Sequence, residues 1–152
     1  MGKYSKVIFV STDNTSRSIL AEAVMNSVNK KKVIEVCSRG MVVLFPEPMN
    51  PKAVAILKGN QMEPSKKSSE QLMESDLTEA TLILAMTSYE CGLAREKFAG
   101  KAEICTIGEF VGKPGDITEP HGGTLAEYGA CYEYIDLMVK IAAEIIFRET
   151  EE

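Results

Sequence analysis

Val7-Ile8-Phe9-Val10-Ser11-Thr12-Asp13-Asn14-Thr15-Ser16-Arg17-Ser18-Ile19-Leu20 decides how the rest of the chain is read. Its first four residues form a short, β-branched apolar run, the pattern of a strand covered on both faces in a parallel sheet. A polar loop follows. Leu20, Ala23, Val24 and Val28 then return at helical spacing and predict a helix from about Arg17 to Asn29. In open parallel sheets, ligands bind at the carboxyl ends of strands, where helix N-termini offer free N–H groups and a positive dipole end to anions. Residues Ser11 to Ser18 occupy such a place. They suit equally a plain connection, with Ser16 or Ser18 capping the helix and Arg17 in solvent.

Working outward, Val33 to Cys37 predicts a second strand, closed by Ser38-Arg39-Gly40. Pro46, Pro48 and Pro51 mark a loop, and Pro51 starts a short helix through Leu57 that Gly59 ends. A helix is expected near Ser69 to Ser75. Thr81 to Met86 predicts a third strand, Ser88 to Phe98 a helix, and Glu103 to Ile107 a fourth strand. Between Gly108 and Gly123 lie five glycines and two prolines, a long loop of the kind that often carries function. Leu125, Tyr128, Tyr132, Ile135, Val139, Ala142 and Ile146 then recur at alternate spacings of three and four. This suits a long helix laid across a sheet better than a coiled-coil seam. Strands alternating with helices imply α/β architecture with a parallel sheet and helices on both faces.

A length of 152 residues with 45% apolar content suits one domain, 1–152, with one core. The longest apolar runs fall far short of a membrane span or signal-peptide core, and a cytoplasmic protein is expected. Met1-Gly2 opens like a myristoylation signal, but Lys6 stands where that signal wants Ser or Thr. Net charge is −5, and the only basic clusters, Lys30 to Lys32 and Lys66-Lys67, read as solvated surface, too little to hold a nucleic-acid backbone. Cys37, Cys91, Cys105 and Cys131 lack paired metal or redox spacing and read as buried, reduced thiols. No metal or cofactor is implied.

The motifs resemble those of the low-molecular-weight protein-tyrosine phosphatases. That family opens with a buried strand running into Cys-x-Gly-Asn-x-Cys-Arg-Ser-Pro, and Asn14, Arg17 and Ser18 match in register. Its turn after the second strand is matched by Ser38-Arg39-Gly40, its Met-Thr after the third strand by Met86-Thr87, and its Asp-Pro-aromatic-Gly-Gly loop by Glu119-Pro120-His121-Gly122-Gly123. The likeness covers nearly the whole length. It implies a four-stranded parallel sheet in the order 2-1-3-4, and a loop of Ser11, Thr12, Asp13, Asn14, Thr15, Ser16, Arg17 and Ser18 that binds phosphate or a phosphorylated protein side chain. Thr12-x-Asn14-Thr15 together with Pro120-x-Gly122-Gly123 looks closest to the bacterial protein-arginine-phosphatase branch, where a threonine follows the nucleophile.

The resemblance also implies roles. Ser11 stands where the family keeps its nucleophilic cysteine, Arg17 matches the bidentate arginine, Ser18 the hydroxyl that steadies the nucleophile, Asn14 the loop brace, and Glu119 the leaving-group acid. A phosphate loop can lower a thiol from ~8.5 to well below 7, whereas an alkanol titrates nearer water's ~15.7. Ser11 is therefore expected to be a very poor nucleophile, and His121, the only histidine, belongs beside the acid rather than beside Ser11. Glu119 is one methylene longer than the family's Asp, and a ~1 Å misplacement can cost ~100-fold. Asp13 replaces a glycine and brings negative charge to the loop, tolerable there if the backbone is left-handed. Ser16 replaces a second cysteine, and Ile19 a proline. Ser11 alone would fit a Cys-to-Ser form of an active tyrosine or arginine phosphatase, but several departures together point to natural substitution and weak or lost hydrolysis of phosphomonoesters. A different class remains open, because Ser11-Thr12-x-Asn14-Thr15 also looks like the phosphate loop of the FMN-binding flavodoxins.

Overall fold

The computed structural model describes residues 3–151, with only the backbone for 150 and 151. The Met1-Gly2 motif lies outside them. The elements run β1 (Lys6–Ser11), α1 (Arg17–Val28), β2 (Glu35–Gly40), α2 (Pro51–Gly59), β3 (Thr81–Ala85), α3 (Ser88–Phe98), β4 (Glu103–Thr106), α4 (Ile107–Val111) and α5 (Leu125–Glu151). The four strands form one parallel sheet in the order β2-β1-β3-β4.

Alternation along the central strands divides the apolar residues between two faces. Val7, Phe9, Leu82 and Leu84 join α1, α2, α5 and Ile107 of α4 in the larger core. Ile8, Val10 and Ile83 meet Ala94 and Phe98 of α3, with Met41 and Leu72, in the smaller one. Every residue of β1 and β3 is buried, and full burial of a large apolar side chain contributes about 1.5–3 kcal/mol. That exceeds the ~1 kcal/mol span of strand propensities, so burial on both faces fixes these strands. The first nine residues of α1, Arg17 to Met25, are all buried, so this helix is covered on all sides there. On α5, Tyr128, Tyr132, Ile135, Val139, Ala142 and Ile146 face inward as the spacing requires, but Leu125 is exposed.

Three expectations are corrected. No helix forms over Ser69 to Ser75. That stretch is tied to its neighbours by isolated bridges, Pro48 with Ser68 and Gly40 with Gln71, and only Glu74–Asp76 coils, as a 3-10 turn. β2 starts later than expected and runs through Ser38-Arg39-Gly40, because these residues pair with Phe9, Val10 and Ser11. The loop from Gly108 is shorter than expected, since α4 occupies its start with a Thr106–Glu109 capping box.

Candidate active-site loop

β1 has β2 on one side and β3 on the other, so the chain order reverses at its carboxyl end, where such sheets place ligands. Ser11 is the last β1 residue in the ladder and Arg17 opens α1. The chain beyond β2 runs alongside the connecting loop, with Met41 N–H donating to Ser11 O at 3.0 Å and Val42 N–H to Thr12 O at 2.9 Å. Gly40 allows this approach, because a Cβ there would lie 2.9 Å from Thr12 O.

Asn14 carries the turn. Its φ is +61°, a left-handed conformation that costs most residues about 1–2 kcal/mol and is visited most readily by Gly, Asn and Asp. Asp13 itself does not take the left-handed backbone set as its condition. The wholly buried Asn14 side chain satisfies both amide atoms: Nδ2 donates to Ser18 Oγ at 2.8 Å and Ser38 Oγ at 3.0 Å, and Oδ1 accepts from Lys66 Nζ at 2.6 Å and Glu70 N–H at 3.0 Å. Turned this way, Asn14 donates its own N–H to Ser11 Oγ at 3.1 Å, and Ser11 Oγ shares a hydrogen bond of 2.7 Å with Ser18 Oγ. Neither partner is a base.

Lys66 is not solvated surface. Its side chain, 15% exposed, also donates to Ser38 O at 2.7 Å and lies 3.3 Å from Glu70 Oε1. Burial lowers its pKa below the ordinary lysine value, opposed by the Glu70 carboxylate. Nothing in the Lys66-Lys67 doublet distinguishes one lysine from the other. Sequence reasoning therefore had no signal to find this contact.

Arg17 is buried rather than in solvent, with its side chain 5% exposed. Nη1 and Nη2 meet Glu90 Oε1 and Oε2 at 3.3 and 2.7 Å, Nη1 also donates to Ile117 O at 2.9 Å, and Nε donates to Glu119 Oε1 at 3.0 Å. Glu90, at 1% side-chain exposure, is the second residue the sequence reading missed. Thr87-x-x-Glu90 is legible as a capping box, but its second task, accepting from Arg17 and from Thr12 Oγ1 at 2.7 Å, is visible only in three dimensions.

Glu119 reaches the loop because its own segment hangs on β3, through Ile117 N–H to Met86 O at 2.9 Å. Its carboxylate takes both ends of a bifurcated bond from Ser16 Oγ, at 2.5 and 2.6 Å, so Ser16 caps nothing by its side chain. Tyr128 faces it, and burial first, then hydrogen bonding to Glu119, pushes that phenol up to about 12. Asp13 Oδ1 accepts from Thr15 N–H at 3.1 Å and Thr15 Oγ1 at 2.9 Å. His121 is exposed and donates its backbone N–H to Glu119 O at 2.9 Å.

Ser11, Asn14 and Ser18 therefore form one hydrogen-bonded group, and Ser16, Arg17 and Glu119 a second. Thr12 is tied to Glu90, and Asp13 to Thr15. A buried arginine, a helix N-terminus and a turn of small polar residues are what recognition of a phosphoryl group requires.

Known proteins carry the same plan. A sequence model described as low molecular weight phosphotyrosine protein phosphatase matches residues 6–151. A protein-arginine-phosphatase of Geobacillus stearothermophilus is 32% identical over 141 residues, covering 91% of this chain and 94% of the relative. A low molecular weight protein-tyrosine-phosphatase, PtpB, of Staphylococcus haemolyticus is 29% identical over 132 residues, covering 86% and 91%. Among solved structures, the YwlE arginine phosphatase, as a cysteine-to-serine mutant with a phosphorylated active-site serine, superposes with a TM-score of 0.85 at 28% identity, covering 95% of this chain and 97% of that one. The flavodoxin alternative gives way. With its four-stranded 2-1-3-4 sheet and a match along nearly all its length, the chain belongs to the low molecular weight phosphotyrosine protein phosphatase family.

Proposed function

We propose that this chain, acting as one domain, holds the phosphoryl group of a phosphorylated protein side chain in the loop Ser11 to Ser18, and that Ser11, in the nucleophile's place, makes hydrolysis of phosphomonoesters weak or lost. The carrying observation is that Ser11 Oγ is aimed by Asn14 N–H and Ser18 Oγ, two groups that can orient an oxygen but cannot take its proton. Arg17 holds equatorial oxygens in this reading, and Glu119 is the acid for the leaving group. The phosphorylated serine of the related YwlE mutant supports a slow half-reaction. Ser11 Oγ attacks phosphorus and its hydroxyl proton passes to water, the bond to the leaving side-chain atom breaks, Glu119, protonated once it has left Arg17, supplies that atom's proton, and the resulting phosphoserine persists. Relatives named for both phosphotyrosine and phosphoarginine make these the two substrates to compare. Bacterial relatives and four unpaired thiols support a bacterial cytosol as the setting.

The test is an aryl-phosphate assay of the chain beside Ser11→Cys, with intact mass of the serine form read after incubation with phosphotyrosine and phosphoarginine peptides. Negligible turnover in the serine form, activity gained in Ser11→Cys and at most one added phosphoryl group are expected. Robust turnover in the serine form that Ser11→Ala removes would overturn the assignment of a poor nucleophile.

A further inference from the structure

Two of the chain's departures from the family pattern, Asp13 and Glu119, occupy donors that an anion would use, and a third, Ser16, holds Glu119 in place. Arg17 has five N–H groups. One edge of the guanidinium, Nη1 with Nη2, is bidentate on Glu90, and the remaining Nη1 proton goes to Ile117 O. Only the Nε and Nη2 edge is left for an oxyanion, and Glu119 Oε1 accepts from Nε at 3.0 Å. Ser16, at the N-cap position of α1, gives its hydroxyl to both oxygens of the same carboxylate. On the other side of the turn, Asp13 Oδ1 accepts from Thr15 N–H. Two carboxylates, Glu90 and Glu119, pair with the one guanidinium. Glu90 is locked by its capping box with Thr87 at the start of α3. Glu119 instead belongs to a segment whose Gly122 has φ +66° and whose neighbours 118–122 form no regular element, so it is the one of the two set to move.

Building on the phosphate-binding reading above, we infer that Glu119 is an internal competitor for the anion site: its carboxylate, seated by the Ser16 hydroxyl, holds the Arg17 Nε donor, and a phosphoryl group enters by displacing it. Ser16 and Glu119 then work as a pair, the hydroxyl fixing the carboxylate in its seat, and together they set how strongly the loop holds a ligand. Charge-assisted hydrogen bonds of this kind carry about 1.5–3 kcal/mol each, so losing the competitor corresponds to about ten- to a hundredfold in affinity.

The experiment is a titration of inorganic phosphate, followed by phosphorus NMR, into the parent protein and its Glu119→Gln, Ser16→Ala and Arg17→Lys variants, with the Arg17 Nε–H proton resonance recorded in each. Glu119→Gln is expected to bind phosphate about ten- to a hundredfold more tightly than the parent, and Ser16→Ala more tightly by a smaller factor. In the parent, the Nε–H resonance should move on phosphate addition as the proton changes partner. The competition is overturned if both variants bind no more tightly than the parent while Arg17→Lys still abolishes binding, a result that leaves the phosphate site standing. Absence of millimolar binding in every protein, Glu119→Gln included, would remove the phosphate-binding reading and this one with it. Ser16→Ala decides the matter should Glu119→Gln fail to fold.

Discussion

Arg17 has two tasks, and they set a limit on what its removal can show. Glu90 is buried to 1% exposure with the guanidinium as its counter-charge, and breaking a buried pair by deleting one partner costs about 3–5 kcal/mol. Arg17→Ala should therefore lower the urea midpoint by that equivalent before any ligand is added, whereas Arg17→Lys keeps a cation beside Glu90 and should lose much less. Equal losses in the two would show that the charge pairing contributes little. The sequence made Ser11, Arg17 and Glu119 legible because motif register carries them. It could not reveal Glu90 or Lys66, whose contacts join residues 73 and 52 positions apart and depend on where β3 and the segment before it come to rest. Nor could it reveal that Ser16 and Glu119, each noted as a departure, face each other.

At the level of elements, the end of β2 lies hard against the site loop. A Cβ on Gly40 would stand 2.6 Å from Val43 Cγ2, 2.9 Å from Thr12 O and 3.0 Å from Asp13 C. Overpacking of this kind typically costs about 1–3 kcal/mol. Gly40→Ala should show that loss in denaturant titrations and should also displace the amide resonances of Thr12 and Asp13. A stability loss with those resonances unmoved would mean that the strain is absorbed by Val43. Strand existence and order followed from apolar runs and from the family likeness. Boundaries did not, because Ser38-Arg39-Gly40 looks like a turn in sequence and becomes a strand only by pairing with β1. The expected helix at Ser69 to Ser75 failed for a similar reason. Glu70 N–H and Gln71 are engaged with Asn14 and the end of β2, and those partners lie far away along the chain.

Across the whole molecule, burial favours the protonated form of all four thiols and of the Tyr4, Tyr128 and Tyr132 phenols. Burial pushes Cys105 up to about 12 and Cys131 up to about 11, and raises Cys37, Cys91 and Tyr4. An unfolded thiol titrates near ~8.5, so the folded state binds more protons than the unfolded state between that value and the folded pKa, and stability falls as pH rises. The urea midpoint should hold below about pH 8.5 and decline toward 11 and 12, and a Cys105→Ala, Cys131→Ala double variant should flatten the decline. An unchanged slope would count against burial as its cause. Only Cys91 is fully buried, with Cys37, Cys105 and Cys131 half-buried, so desolvation rather than inaccessibility keeps these sulfurs quiet. Peroxide attacks thiolates rather than thiols or alkanols. With a hydroxyl at Ser11 and four protonated sulfurs elsewhere, the loop has no sulfur for an oxidant to attack, so phosphate binding by the parent should survive peroxide treatment that silences the Ser11→Cys variant.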